Sequence, residues 1–180
     1  ENNSQKAVEN IRTYVRINEE GDTQFPTTNS TKEQSDFNTG DHAQPQTLKE
    51  KRRETLRQNR LNGKAFEDNR FEDYKLIAIN LEKQITIKVG SKKIRVDAIG
   101  YVLNEDGSYS LQVLEFKSSK TASLTKNQAD SFSLLYEQGG VVVGKGKGIF
   151  PGGTIIPPGT VIKIIRGTTG GSWYVDSRFG

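Results

Sequence analysis

Apolar positions are spread unevenly along this chain. In the first eighteen residues Val8, Ile11, Tyr14 and Val15 recur at spacings of three and four, a short helical stripe. With nothing to pack against, so brief a stripe predicts only a marginal helix, because nucleation is costly. From Glu19 to Gln46 the sequence is polar and acidic and poor in branched apolar side chains. Such a segment buries too little surface to offset the entropy of ordering, so a largely disordered linker is expected. Leu48 to Leu61 reads as an exposed basic helix. Its i,i+4 pairs Lys49/Arg53 and Glu50/Glu54 are like-charged and lend it no support. A solvated helix and a helix facing nucleic acid are equally good readings of it.

The folded body is expected to start near Asn62-Gly63. Phe66, Tyr74 and Ile77 share related faces of a helix predicted to run to about residue 80. Ile85–Val89 and Ile94–Leu103 read as a strand pair joined through Gly90-Ser91-Lys92-Lys93. Asn104-Glu-Asp-Gly-Ser108 carries the Asp-Gly of a hairpin turn, and Tyr109–Ser118 is the next strand. Thr125 is a plausible N-cap for a helix through Gln138 with Ala129, Phe132, Leu135 and Tyr136 inward, stopped by Gly139-Gly140. Val141–Val143, Thr154-Ile-Ile and Val161–Ile165 supply short strands. The order α-β-β-β-α-β, with a further short strand, predicts an α/β chain of α+β type: a mixed sheet with helices against it.

Composition narrows the chemistry. The 180 residues include no Cys and no Met, and one His. Disulfides, thiol nucleophiles and cysteine-based metal sites are therefore excluded. His42 sits in the polar stretch Thr39-Gly-Asp-His-Ala-Gln-Pro45 and reads as a linker residue, which argues against histidine-based hydrolysis. No apolar run reaches a membrane span, and no signal-peptide pattern opens the sequence. The net charge of +4 conceals a division: residues 1–48 carry 4 basic and 8 acidic side chains, residues 49–180 carry 22 and 14. An acidic head thus precedes a body of +8 suited to a polyanion. The domain reading is an acidic low-complexity segment over 1–47 and a functional domain over 48–180, its core about 60–165.

Three charges interrupt apolar strands. In Leu111-Gln-Val-Leu-Glu-Phe-Lys117 both faces are apolar along most of the strand, the signature of a central strand covered on both sides. Glu115 and Lys117 continue the face of Leu111 and Val113, and Asp97 shares a face with Ile99, Tyr101 and Leu103. A buried carboxylate costs several kcal/mol unless it is paired or bound to metal. Two carboxylates and a lysine at neighbouring strand ends would suit a hard cation and an anionic ligand. The same residues would also suit a purely structural ion-pair cluster, or edge charges that deter aggregation.

Asp97, then Glu115-Phe-Lys117 on the next strand, with an acidic helix before and a Gln-bearing helix after, resembles the PD-(D/E)xK nuclease superfamily over roughly residues 60–165, with Val96 where the motif has Pro. The resemblance implies a restriction-endonuclease-like core. It assigns Asp97 and Glu115 as ligands of a divalent ion (Mg²⁺ first, Mn²⁺ or Zn²⁺ as alternatives), Lys117 as the catalytic lysine, and Glu67 as an accessory carboxylate and third metal ligand. Glu72 competes with Glu67. Gln128 would be the accessory glutamine after the motif, with Lys126 the second choice.

Leu124-Thr-Lys-Asn-Gln128, Gly139–Lys147 and Phe150–Pro158 are similar to the nuclease tips of bacterial polymorphic toxins, including contact-dependent growth inhibition effectors. The opening Glu1-Asn2-Asn3 resembles part of the Val-Glu-Asn-Asn sequence that precedes such toxin regions. This implies the tip of a large secreted protein, displayed at the producer's surface and acting in the target cell's cytoplasm without stable membrane insertion. It also implies a DNA or tRNA substrate and a cognate immunity protein.

Lys120, Lys126, Lys145 and Lys147 are candidate nucleic-acid contacts. Gly144-Lys-Gly-Lys-Gly148 lacks the ending of a phosphate-binding P-loop and reads as a basic turn. Trp173 and Tyr174 would either stack on a base or pack on the sheet. The competing functions are a non-catalytic basic binding module of a larger secreted protein and, more weakly, a repair or restriction nuclease of the cell that makes it.

Overall fold

The computed structural model describes residues 47–179. The expected helix over 1–18, the linker and His42 lie outside the described residues. Thr47 opens helix α1 (Leu48–Lys75) with a capping box: its hydroxyl accepts from the Glu50 N–H at 3.3 Å, and Glu50 Oε2 accepts the Thr47 N–H at 2.7 Å. The break expected at Asn62-Gly63 does not occur. A lone glycine costs a helix only about 1 kcal/mol, and this one is carried through by 28 residues of continuous helix. The helix ends at Lys75, short of residue 80, because Ile77 already joins the sheet: its carbonyl accepts the Leu103 N–H.

Strands β1 (Ala78–Val89), β2 (Lys92–Leu103) and β3 (Tyr109–Lys117) form an antiparallel meander. β1 begins seven residues before the expected Ile85, and its early half hides from alternation rules because Asn80 and Gln84 take positive φ, 53° and 55°. Helix α2 (Lys126–Gln138) follows, capped by Thr125 and stopped by Gly139 at φ 74°. The Gly139 conformation and its crowding against the Ile156 carbonyl leave no room for a side chain. Then come β4 (Gly140–Val142), β5 (Gly146–Lys147), β6 (Phe150–Pro151), β7 (Ile155–Ile156), β8 (Val161–Gly167) and β9 (Trp173–Phe179). Among the described residues seven strands make one mixed sheet in the order β7-β4-β1-β2-β3-β8-β9, in which only β3 and β8 are parallel; β5 and β6 pair separately.

The sheet carries a core on each face. Phe132 and Leu135 of α2 cover Ile85, Ile87, Val96, Val113 and Ile162. Phe71 and Tyr74 of α1 cover Ala98, Val102, Leu114, Phe116 and Ile165. Val113 and Leu114 thus face opposite cores, which makes β3 the doubly covered central strand its sequence predicts. Ion pairs tie each helix down, Lys83 to Asp68 at 2.6 Å and Lys92 to Asp130 at 2.9 Å. The chain is α+β over the described residues, a mixed sheet with two helices. Among the described residues no helix is long and apolar enough to cross a membrane.

Candidate active site

The regular pleat slips where β1 and β2 pass Gln84 and Asp97. Ile85 and Val96 belong to the α2-side core, whereas Lys83 stands 4.6 Å over the Phe71 ring and Ala98 belongs to the α1-side core. Residues two apart should share a face, so both strands change faces here. The β2–β3 ladder runs from Leu103/Tyr109 to Ala98/Leu114. Beyond it β2 leaves β3, and the Asp97 side chain takes the donor so released: the Phe116 N–H bonds to Asp97 Oδ2 at 2.8 Å. β3 meanwhile continues beside β8, pairing Glu115 with Ile164 and Lys117 with Arg166. The site therefore sits where two strands diverge, and its first carboxylate is held by main chain.

Glu115 is buried, its side chain 3% exposed. Its Oε1 accepts from Gln128 Nε2 at 2.6 Å and pairs with Lys117 Nζ at 2.9 Å; its Oε2 is buried with no partner. Lys117 also donates to Gln128 Oε1 at 3.1 Å. That same Gln128 oxygen accepts the Thr125 N–H at 3.1 Å, so the capping box that starts α2 orients the amide between the lysine and the glutamate.

The carboxylates are electrostatically crowded. Burial, then the Glu115 carboxylate, pushes the Asp97 carboxyl up to about 7, with Glu67 adding and the Phe116 N–H and Lys117 opposing. Burial likewise raises Glu115, against the pull of Lys117 and Gln128, and Glu67 again adds. Glu67 thus acts on both site carboxylates from α1, where Gln84 Nε2 reaches it at 3.4 Å. Glu72 is exposed and paired to Lys75 at 3.1 Å, and it contributes to neither shift. Among the described residues no group of three or more His, Cys, Asp or Glu side chains stands close enough to hold a metal ion.

No family model, curated protein or solved structure matches this chain.

The candidate phosphate contacts are not drawn into the cluster. Lys120 and Lys126 are exposed on the loop after β3 and at the start of α2, and Lys145 is exposed at the hairpin. Lys147 bonds the Lys83 carbonyl. Gly144–Gly148 leads into the β5–β6 hairpin, not a helix. Trp173 packs in the α1-side core, 6.3 Å from the Tyr74 ring and 5.3 Å from the Arg70 guanidinium, which selects the packing alternative over base stacking.

One residue beside the site is absent from the sequence reading. Arg166 is buried on β8 opposite Lys117, donates to Asp176 Oδ2 at 3.2 Å, and bonds the Ala122 carbonyl in the loop between β3 and α2. It anchors the loop that delivers Gln128. Its signal was a second charge, after Lys163, in the otherwise apolar strand Val161-Ile-Lys-Ile-Ile-Arg166, the same kind of interruption that marks Glu115.

Proposed function

We propose that this chain is a metal-dependent endonuclease toxin that hydrolyses phosphodiester bonds in nucleic acid, with DNA as the first substrate and tRNA as the second. The observation that carries this reading is the meeting of Asp97, Glu115, Lys117 and Gln128 at the point where β2 leaves β3. Under this reading the α-β-β-β-α-β core implied by the PD-(D/E)xK resemblance would take β8 as its final strand, with β4–β7 lying between α2 and it.

The residues fit a divalent ion. Glu115 Oε2 is a buried oxygen without a partner, and Asp97 is a carboxylate crowded by two others. Asp97 and Glu115 would hold the ion with Glu67 as the nearest further carboxylate, and the all-oxygen donor set favours Mg²⁺, ahead of Mn²⁺ or Zn²⁺. Such an ion, when bound, polarises the scissile phosphate and acidifies water. Lys117, whose side chain is 16% exposed, offers its ammonium to charge developing on the phosphate. Gln128 holds Lys117 and Glu115 in register, and the basic body gathers the polyanion with strong salt dependence.

The setting follows from the toxin resemblance: the tip of a large secreted protein, active in the cytoplasm of a competing bacterium. A cognate immunity protein protects the producer. With a body of +8, an acidic inhibitor over the Asp97–Glu115–Lys117 cluster is the simplest blocker. A second reading, a non-catalytic basic binding module with a structural cluster, draws support from the Glu115–Lys117 pair and from the lack of a ready three-ligand group among the described residues.

Incubation with plasmid and with total tRNA, with and without EDTA, separates the two readings. Cleavage of either substrate is expected, lost with EDTA and lost in Lys117→Ala and Asp97→Ala. Intact substrates throughout would favour the binding module, and cleavage by both variants would remove the site assignment.

A further inference from the structure

The amino-terminal part of α1 is built for something other than packing. Every residue from Leu48 to Asn62 is exposed, about 22 Å of helix at 1.5 Å per residue. Seven basic and two acidic side chains fall between Leu48 and Lys64, a net of +5. A free-standing helix owes nothing to a core, so its composition reports what it meets in solution.

The charges are ordered. Lys49, Arg53, Arg57, Arg60, Lys64 and Glu67 follow one another at spacings of four or three residues, and at 3.6 residues per turn these positions share one stripe. Arg53, Arg57 and Arg60 line an open groove with Leu56 and Leu61. Lys64 is matched by Asp68 and Arg57 by Glu54. Among the described residues Lys49, Arg53 and Arg60 have no such ion pair.

The stripe runs toward the candidate site. A side-chain carbon added at Gly63 would meet Ser118 Oγ at 4.0 Å, and Ser118 directly follows Lys117. One turn beyond Gly63, Glu67 acts on Asp97 and Glu115. The arm therefore leaves the body at the rim of the site, with arginines on the line that ends in its third carboxylate.

We propose that the exposed arm of α1 is a backbone-tracking surface: Arg53, Arg57 and Arg60 engage successive phosphates of the nucleic-acid strand that enters or leaves the site. Arginine suits this because its guanidinium meets phosphate in a fixed fork. Neighbouring stripe positions lie ~5–6 Å apart, so the arm presents a row of donors rather than a single pocket. Contacts of this kind add affinity and direction without reading sequence. The inference deepens the nuclease reading and depends on it only for what the tracked strand is brought to.

The test is the salt dependence of binding, measured on the full chain in EDTA so that no cleavage intervenes. The probes are a short duplex DNA and total tRNA, and the variant is Arg53→Gln/Arg57→Gln/Arg60→Gln. Glutamine keeps helix propensity, so circular dichroism should be unchanged. Three lost phosphate contacts flatten the slope of log K against log salt by about 2.7 on duplex DNA, or somewhat less on a single strand. A shift of that order on either probe supports the arm and names its substrate. No binding of either probe by the wild-type chain, or an unchanged slope on both, overturns it. So does loss of binding to anionic phospholipid vesicles while the nucleic-acid slopes stay fixed. If the slopes shift as expected but EDTA-sensitive cleavage never occurs with metal restored, the nuclease reading fails and the binding surface stands.

Discussion

The two oxygens of Glu115 are in opposite states: Oε1 holds Gln128 and Lys117, while Oε2 is buried and unpaired. The Glu115 charge is desolvated and crowded by Asp97 and Glu67, so removing it in Glu115→Gln should leave thermal stability unchanged or raised. Loss of a supporting residue outside the ligand shell typically costs 10–100-fold, so under the proposed role of Glu115 as a direct ligand its loss should cut EDTA-sensitive cleavage at least about 100-fold. Unchanged turnover at saturating metal would show that Glu115 is no ligand. Asp97 sets a pH dependence of definite sign. Its carboxyl titrates at about 7 in the folded chain and near 3.8 when unfolded, so the folded state binds the extra proton between those values. The stability it contributes is full below its unfolded value and lost as pH rises through about 7. Asp97→Asn removes that loss. Relative to wild type, the variant should gain stability progressively between about pH 4 and about pH 7 in urea titrations, with Glu115, Glu67 and Lys117 as the other groups facing the site. A constant difference would mean Asp97 is already ionised. These two carboxylates and Lys117 were legible in the sequence because each interrupts an apolar strand. Glu67 and Glu72 were not separable, since five helical positions differ in direction by well over a right angle and only the sheet's placement selects between them. Arg166 obeyed the same rule but stood at a strand end, where a charge ordinarily reaches solvent.

At the scale of elements, α2 and the site share one residue. Gln128 closes the capping box on Thr125 and also bridges Lys117 and Glu115. Gln128→Glu keeps the acceptor that the box requires but exchanges a donor for a carboxylate at the 2.6 Å contact with Glu115. A lost hydrogen bond and a like charge together should cost about 2 kcal/mol, whereas Thr125→Ser, which keeps the cap, should be nearly neutral. Equal urea midpoints for the two variants would show that the bridge carries no weight. The Thr125 cap was readable because capping is local chemistry. The continuous α1 was not: Asn62-Gly63 is a sound stop signal by local rules, and the helix overrides it with a packed second half around Phe71 and Tyr74. The early part of β1 was hidden for the opposite reason, because its positive-φ residues and change of face erase the period that marks a strand. Among the described residues β9 is an edge strand paired only to β8, and its sequence carries no alternation that marks it as one.

Across the whole molecule, charge is divided rather than balanced. Residues 1–46 hold 8 acidic and 4 basic side chains, so a chain beginning at Thr47 changes from a net of +4 to +8. Thr47 and Glu50 make the α1 cap entirely within that shortened chain, and residues 1–46 are acidic and poor in apolar side chains, so they have little to add to a packed core. Removal of residues 1–46 should therefore leave the urea midpoint and the cleavage rate at saturating substrate unchanged. Association with a polyanion should respond differently. Doubling the net positive charge strengthens long-range steering, so the shortened chain should bind nucleic acid faster at low ionic strength. Steering fades as the screening length falls from about 10 Å at 0.1 M salt to about 3 Å at 1 M, and the two on-rates should converge over that range. Dissociation, set by the proposed contacts at the site and along α1, should be the same for both chains. Stopped-flow binding across a salt series reads all three quantities. A shortened chain with a lower urea midpoint would move the domain boundary toward the amino terminus. On-rates that differ equally at all salt concentrations would mean that the acidic head acts by occupying the basic surface rather than through its charge alone.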